Sequence, residues 1–296
     1  MTPGFILLDK PKGLSSQQAI YHLRKKLALP KTIKIGHGGT LDPLATGMLV
    51  MALGSATKFL GYLLNANKTY EVTAKLGQVT STFDAEGEIL SETLVPELNE
   101  TQILEAFKQF TGPIEQIPPM YSALKFQGKP LYHYARKGQD IIRPPRAVHI
   151  YDLILQSREK DSLSFISQVS KGTYIRSLVH DIGQLLGCGA HVSLLHRSQV
   201  DPFQASEMVT IDQLAPEALR PIETLFMDLE SIVLNAAEIK KLKSGQKLNE
   251  KQFPILKTLN NPEINSFFRA YQEEGNAFIG LLKLDEERRI MGEKWV

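Results

Sequence analysis

Apolar and polar positions follow different periods along this chain, and the period identifies each element. Residues 5–8, Phe-Ile-Leu-Leu, form a short apolar run ending at Asp9-Lys10-Pro11-Lys12-Gly13, which predicts a buried strand. Ser15 or Ser16 stands where an N-cap is needed, ahead of a helix through residues 18–29 that stops at Pro30. A glycine-rich loop follows. Residues 48–54 predict a second buried strand, 56–64 a helix, and 69–76 alternate as a half-buried strand does, before a turn across 77–88. Residues 99–111 have helical apolar spacing with Asn99 as N-cap. Strands are expected at 148–156 and 162–170. Residues 171–189 read as a strand end feeding a helix with a glycine stop, and 192–203 as a further strand. Helical segments are expected at roughly 210–228. The pattern restarts after residue 230 with a helix beginning at Ala236, a polar loop near Asn260–Glu263 and strands at 267–272 and 277–284. Residues 112–150 carry no sustained period and are rich in Pro, Gly, Tyr and basic residues, which predicts an insertion or mobile arm at about 119–150.

The chain of 296 residues allows one large domain, or a large and a small one; the restart near 230 favours division into residues 1–229 and 230–296. With 43% hydrophobic and 22% charged residues, a packed core is expected and global disorder is not. Cys188 is the single cysteine, so no intramolecular disulfide and no thiolate metal cluster is expected, which fits a reducing compartment. The opening residues carry too short an apolar run for a signal peptide. No apolar stretch reaches the roughly 18–20 residues that span a bilayer. A cytoplasmic protein without membrane contact is the expectation. The net charge of +2 is uninformative, but its distribution is not. Residues 1–80 hold ten Lys/Arg and three Asp/Glu; 81–118 hold eight acids and one lysine; 119–150 hold six Lys/Arg and one acid. Two basic blocks around an acidic one suit a polyanion, although ordinary solvated charge gives the same count.

Candidate chemistry centres on Gly36–Leu49, GHGGTLDPLATGML, where one carboxylate, Asp42, stands among Gly36, Gly38, Gly39, Gly47 and Pro43. Glycine permits unusual backbone angles and close approach, and proline biases Asp42 to an extended conformation. The stretch is neither a phosphate loop nor a dinucleotide fingerprint. Four further islands accompany it. The first is LDKPKGLSS at 8–16, which also reads as a simple strand-to-helix turn. The second is Tyr70 on an alternating strand, suited to core packing or to stacking on a base. The third is KGTYIR at 171–176, read as placing Tyr174 and Arg176 on one strand face. A partly buried Asp42 needs a cation such as Arg176 to stay ionised. The fourth is the arm, where Tyr121, Phe126, Tyr132 and Tyr134 interleave with Lys125, Lys129, Arg136 and Lys137, a composition suited to an RNA backbone and unstacked bases. The seven histidines are scattered without HExxH, so no metal site is expected; His37 inside the glycine-rich loop is the one set apart. GxSxG is absent, and with it a serine-nucleophile signature.

These spaced motifs, with IPPMYSALKFQGKPLYHYARKG in the arm and KGTYIRSLVHDIG after it, closely resemble the TruB family of tRNA pseudouridine synthases, in order from about residue 5 to 205. The resemblance implies an α+β fold: a mixed, largely antiparallel sheet with flanking helices, and a small C-terminal PUA-like RNA-binding domain. It implies isomerisation of uridine 55 in the TΨC arm of tRNA, with the base flipped out and no cofactor or metal used. The T stem-loop would be the partner and a monomer the working state. It implies that Asp42 is the catalytic aspartate, acting as nucleophile or by taking a ribose proton. Arg176 would pair with it, Tyr70 stack on the target base and assist at C5, His37 hold the extruded nucleotide, and Leu195 give an apolar contact. The arm would close over the RNA. Two departures are visible. HGGTLDP stands where HTGALDP is found in some members, and His196 stands where arginine is common, which weakens a phosphate contact there. A non-catalytic RNA binder would show the same arm but needs neither Asp42 nor Arg176, and a glycosidase acting on nucleosides would want two carboxylates.

Overall fold

In the structure, a computed structural model that describes residues 3–253, 256 and 263–296, the strands expected before residue 205 pair into one large mixed sheet. The first half of the chain forms β1 (Gly4–Lys10), α1 (Ser16–Lys26), β2 (Ile35–His37), β3 (Thr46–Leu53), α2 (Leu60–Asn65), β4 (Lys68–Leu76), β5 (Gln78–Thr80), β6 (Ile89–Glu92), α3 (Glu100–Phe110) and β7 (Gly112–Gln116). The arm holds a small hairpin, β8 (Lys125–Phe126) and β9 (Lys129–Pro130), and a short α4 (Leu131–Ala135). Then come β10 (Arg146–Arg158), β11 (Ser162–Val169), α5 (Ile175–Leu185) and β12 (Ala190–Val200). The last part forms β13 (Ser231–Leu234), α6 (Ala236–Lys243), β14 (Leu248–Asn249), β15 (Phe267–Gln272), β16 (Phe278–Leu284) and β17 (Arg289–Trp295).

The large sheet runs β1-β3-β12-β4-β11-β10-β7, with β2 also paired to β3. All its pairings are antiparallel except β12 with β3. The order explains the sequence pattern. β1 and β3 are buried on both faces: Ile6, Leu8, Leu49 and Met51 enter one core, while Phe5, Leu7, Met48 and Val50 enter a second. They therefore read as continuous apolar runs rather than alternations. β4 buries Tyr70, Val72, Ala74 and Leu76 on one face and leaves Glu71, Thr73 and Lys75 on the other, which is why it alternates. Helices α1, α3 and α5 cover the first core with Ala19, Ile20 and Leu23, with Ile103 and Phe107, and with Ile175, Leu178, Val179 and Ile182.

Where a cap accompanied the period, the element formed as read. Ser15 and Gln18 make a reciprocal capping box on α1, and Asn99 and Gln102 make one on α3. Three expectations are corrected. The stretch 210–228 contains only short 3-10 turns at Pro216–Ala218 and Ile222–Phe226. Pro216 and Pro221 restart the backbone before a full helical turn can propagate. Tyr174 and Arg176 do not share a strand: Tyr174 is the N-cap residue of α5 and Arg176 sits in its first turn. The burial of Ile175, Leu178, Val179 and Ile182 supplies a helical stripe that extends back to Ile175. The irregular stretch 112–150 begins and ends in the main sheet, because β7 pairs with β10 from Arg146 to Ile150. The arm proper is what lies between. The polar loop expected near Asn260–Glu263 falls, except for Glu263, outside the described residues.

The C-terminal strands form a separate five-stranded sheet, β13-β15-β16-β17-β14, matching the small PUA-like unit expected there. It has its own core around Phe268, Leu282, Leu284 and Ile290. Leu281, on the other face of β16, packs into the second core with Phe59, Leu63 and Phe226.

Candidate active site

The glycine-rich loop leaves the sheet where the pairing along one edge of β3 changes hands. β2 pairs with Met51–Leu53, and β12 pairs with Thr46 and Gly47 through His196 and Arg197. Residues 38–45 bulge out between these pairings, and Asp42 is at their centre. The loop backbone is pinned from two sides. Ser16 Oγ accepts from Leu41 N–H at 2.9 Å and donates to Leu41 C=O at 3.0 Å. Arg197, 2% exposed, donates from Nε to Met48 C=O at 2.8 Å and from Nη2 to Gly39 C=O at 3.1 Å. Gly47, at φ 95°, lies so close to β12 that a Cβ would sit 2.4 Å from the Arg197 carbonyl oxygen. Only glycine meets both demands.

Arg176 enters from α5 and is 5% exposed. Its Nε donates to Asp42 Oδ2 at 2.8 Å, Nη2 to Tyr121 C=O at 2.7 Å and Nη1 to Thr82 C=O at 2.9 Å. Nη1 also lies 3.5 Å from Asp84 Oδ2. Asp84 is buried, and its Oδ1 accepts from Thr82 Oγ1 at 2.6 Å and Glu86 N–H at 3.0 Å. One guanidinium thus joins the Asp42 loop, the turn after β5 and the root of the arm. Burial pushes the Asp42 carboxyl above its ordinary pKa, the Arg176 charge beside it pulls back down, and Asp84 pushes up again. Asp42 remains 35% exposed, facing a cleft of about 340 Å³.

Asp42, Tyr70, Tyr174, Arg176 and Leu195 all line this cleft. Tyr70 and Leu195 come from the neighbouring strands β4 and β12, each 8% exposed. Tyr174 is held at the mouth of α5 by Gln116, whose Oε1 accepts from Tyr174 N–H at 2.7 Å. His37 is on β2, just before the loop, and is not among the lining residues. Burial first, and then the nearby Arg197 charge, lowers its pKa, so it is neutral at pH 7. Lys125, Lys129, Arg136 and Lys137 are exposed on the arm, outside the cleft wall, while Ser122, Ala123 and Leu124 at the arm's base form part of it. Arg136 lies over the Tyr132 ring at 5.4 Å.

The structure adds charged residues to which the sequence analysis gave no role. Asp84 is a second carboxylate at the site, from a stretch read only as a turn. Lys10 is 0% exposed, donates to Leu14 C=O at 2.7 Å and feels the Asp42 charge; burial lowers its pKa to about 8. Lys68, at the start of β4, is buried with its pKa lowered to about 8 for the same reason. Among the described residues there is no group of three or more His, Cys, Asp or Glu side chains that could hold a metal ion. No helix among them is long and apolar enough to cross a membrane.

Similarity to known proteins identifies the family. The family profile described as TruB family pseudouridylate synthase (N terminal domain) matches residues 24–175, and the one described as tRNA pseudouridylate synthase B C-terminal domain matches 176–235. A tRNA pseudouridine synthase B of Yersinia pestis is 40% identical, over 99% of this chain and 92% of that protein. One from Chromohalobacter salexigens is 45% identical over 82% of this chain and 81% of its own length. Among solved structures, a chain in the crystal structure of a Cbf5-Nop10-Gar1 complex superposes with a TM-score of 0.71 at 26% identity, covering 99% of this chain and 84% of that one. The fold, the profiles spanning most of the large sheet and the relatives along nearly the whole length lead to one conclusion: the chain belongs to the TruB family of pseudouridylate synthases.

Proposed function

We propose that this protein converts uridine to pseudouridine at position 55 in the TΨC arm of tRNA, with Asp42 as the essential catalytic group. The observation that carries this reading is the Asp42–Arg176 pair at 2.8 Å in the wall of a cleft lined by Tyr70 and Leu195. A volume of about 340 Å³ admits a single nucleoside rather than a folded stem-loop. The target base must leave its stack to enter, at a cost of a few kcal/mol. Tyr70 and Leu195 then offer apolar and aromatic surface to the base, and His37, on β2 beside the cleft lining, helps hold the extruded nucleotide. Tyr174 closes the side of the cleft next to Arg176.

In the reaction the N1–C1′ bond breaks, C5 bonds to C1′, the C5 proton leaves and N1 gains one. Asp42 acts on the ribose side, either by adding to C1′ or by taking a ribose proton. In both routes it must be ionised, and Arg176 keeps it so while fixing the free oxygen toward the cleft. Lys125, Lys129, Arg136 and Lys137 contact the phosphates of the T stem-loop as the arm closes. Residues 1–229 form the catalytic unit in this reading, 230–296 a small RNA-binding unit, and the protein acts as a monomer in the cytoplasm. The test is pseudouridine mapping in an unmodified tRNA transcript after incubation with the protein. The expected result is one modified site, at position 55, with wild type, and none with Asp42→Asn in single turnover while RNA affinity stays within a few-fold. Substantial product from Asp42→Asn, or modification elsewhere, overturns the reading.

A further inference from the structure

The segment Gly54–Asn65, a 3-10 turn running into α2, touches the Asp42 loop on one side and the C-terminal sheet on the other. On the first side the approach is at its limit. A Cβ on Gly38 would lie 2.7 Å from the Leu63 Cβ, and one on Gly36 would lie 2.7 Å from Leu60 Cδ1. The glycines that open the loop therefore let it rest directly on the helix, and Leu64 continues into the cleft wall. The end of α2 is fixed by Lys68, whose Nζ donates to the carbonyls of Leu63 at 2.9 Å, Leu64 at 3.1 Å and Ala66 at 2.6 Å. On the second side the Tyr62 ring stands edge-on to Phe226 at 5.1 Å and to Phe267 of β15 at 6.2 Å, with Lys294 Nζ of β17 at 5.6 Å from its centre. Phe59 meets Phe278 of β16 at 6.4 Å, and Lys58 Nζ donates to Trp295 C=O at 3.1 Å.

We infer that α2 is a buttress through which the C-terminal sheet fixes the Asp42 loop, and that Tyr62 is the positioning residue by which the sheet holds it. Close-packed side chains transmit displacement rather than absorbing it. A helix with no slack against Gly38 passes its own position to the loop. An error of about 1 Å in a reacting group lowers the rate about 100-fold. The C-terminal sheet thus serves the chemical step, in addition to any contact it makes with RNA. The inference rests on the catalytic role given to Asp42 above.

Two measurements test it. The first is independent of activity: amide hydrogen exchange of the segment 36–49 in the full chain. Tyr62→Ala and the milder Tyr62→Leu should speed exchange there, and Tyr62→Phe, which keeps the ring, should not. Unchanged exchange in Tyr62→Ala and Tyr62→Leu overturns the inference. The second is the single-turnover rate at saturating tRNA transcript beside the binding affinity. Tyr62→Leu should lose about tenfold in rate with affinity within about threefold, and Tyr62→Phe should match wild type. A rate at saturation equal to wild type overturns the inference, even where affinity falls, because the sheet would then only bind RNA. Absence of product from the wild-type protein would instead strike the proposed function and leave the exchange result standing.

Discussion

Arg176 holds two carboxylates and two backbone carbonyls with a single guanidinium, and its chemistry depends on that shape. The planar fork reaches Asp42, Asp84, Thr82 and Tyr121 at once. Lysine offers a point charge at one place. Arg176→Lys should therefore lower the single-turnover rate about 100-fold with little change in RNA affinity, and a loss of less than a few-fold would show that charge alone suffices. The carboxylate pair also sets a pH dependence. In the proposed reaction Asp42 must be ionised, so the rate should fall as pH drops through its pKa. Burial and Asp84 raise that pKa, and the acidic limb should lie above the ordinary aspartate value of about 4. Asp84→Asn removes a repelling charge and should move the limb to lower pH. The check is the rate profile of both proteins from about pH 4 to about pH 8; a limb that stays put in Asp84→Asn would detach Asp84 from the titration of Asp42.

At the scale of elements, the two serines at the head of α1 divide the work the sequence offered to either. Ser15 accepts from Gln18 N–H and caps the helix, while Ser16 pins the Asp42 loop through Leu41. Ser15→Ala should cost about 1 kcal/mol in urea unfolding and leave the chemical step largely intact. A loss of several kcal/mol would mean that the cap holds more than its own helix. Elements with a clear period of their own were legible: α1 and α3 with their caps, α6, and the alternating β4 each carry a local signal strong enough to survive packing. Elements whose signal is supplied by their neighbours were not. The start of α5 reads as a strand because Thr173, Tyr174 and Ile175 favour one, and the helix is decided by the core that Ile175 enters. Residues 210–228 have helical spacing, yet two prolines leave room only for 3-10 turns. β14 and β17 were missed because Leu248–Asn249 is only two residues long and Arg289–Trp295 is broken by Gly292 and its charges.

At the scale of the whole molecule, the arm should govern affinity rather than chemistry. Lys125, Lys129, Arg136 and Lys137 are exposed and stand outside the cleft wall. Neutralising all four should weaken tRNA binding and flatten its salt dependence, because fewer counterions are released. Parallel slopes with unchanged affinity would show that the arm does not hold RNA. The pairing of Asp42 with Arg176 was legible because a partly buried carboxylate requires a cation, while the role given to Asp42 came from the family resemblance. Asp84 and Arg197 were not, since nothing near them in the chain announces a partner: Asp84 reaches the site through Arg176 of α5, and Arg197 through the pairing of β12 with β3. That order has a consequence for how the protein is made. β3 and β4 are separated in sequence by little more than α2, yet β12 lies between them. On a ribosome the strand carrying Asp42's neighbours waits with an open edge until residue 200 has emerged, and the insertion of β12 closes a long loop at high entropic cost. Leu195 and Arg197 arrive on that same strand. The nascent chain therefore carries Asp42 early and completes the cleft around it late, and until then its unpaired strand edges are open to pairing with another chain.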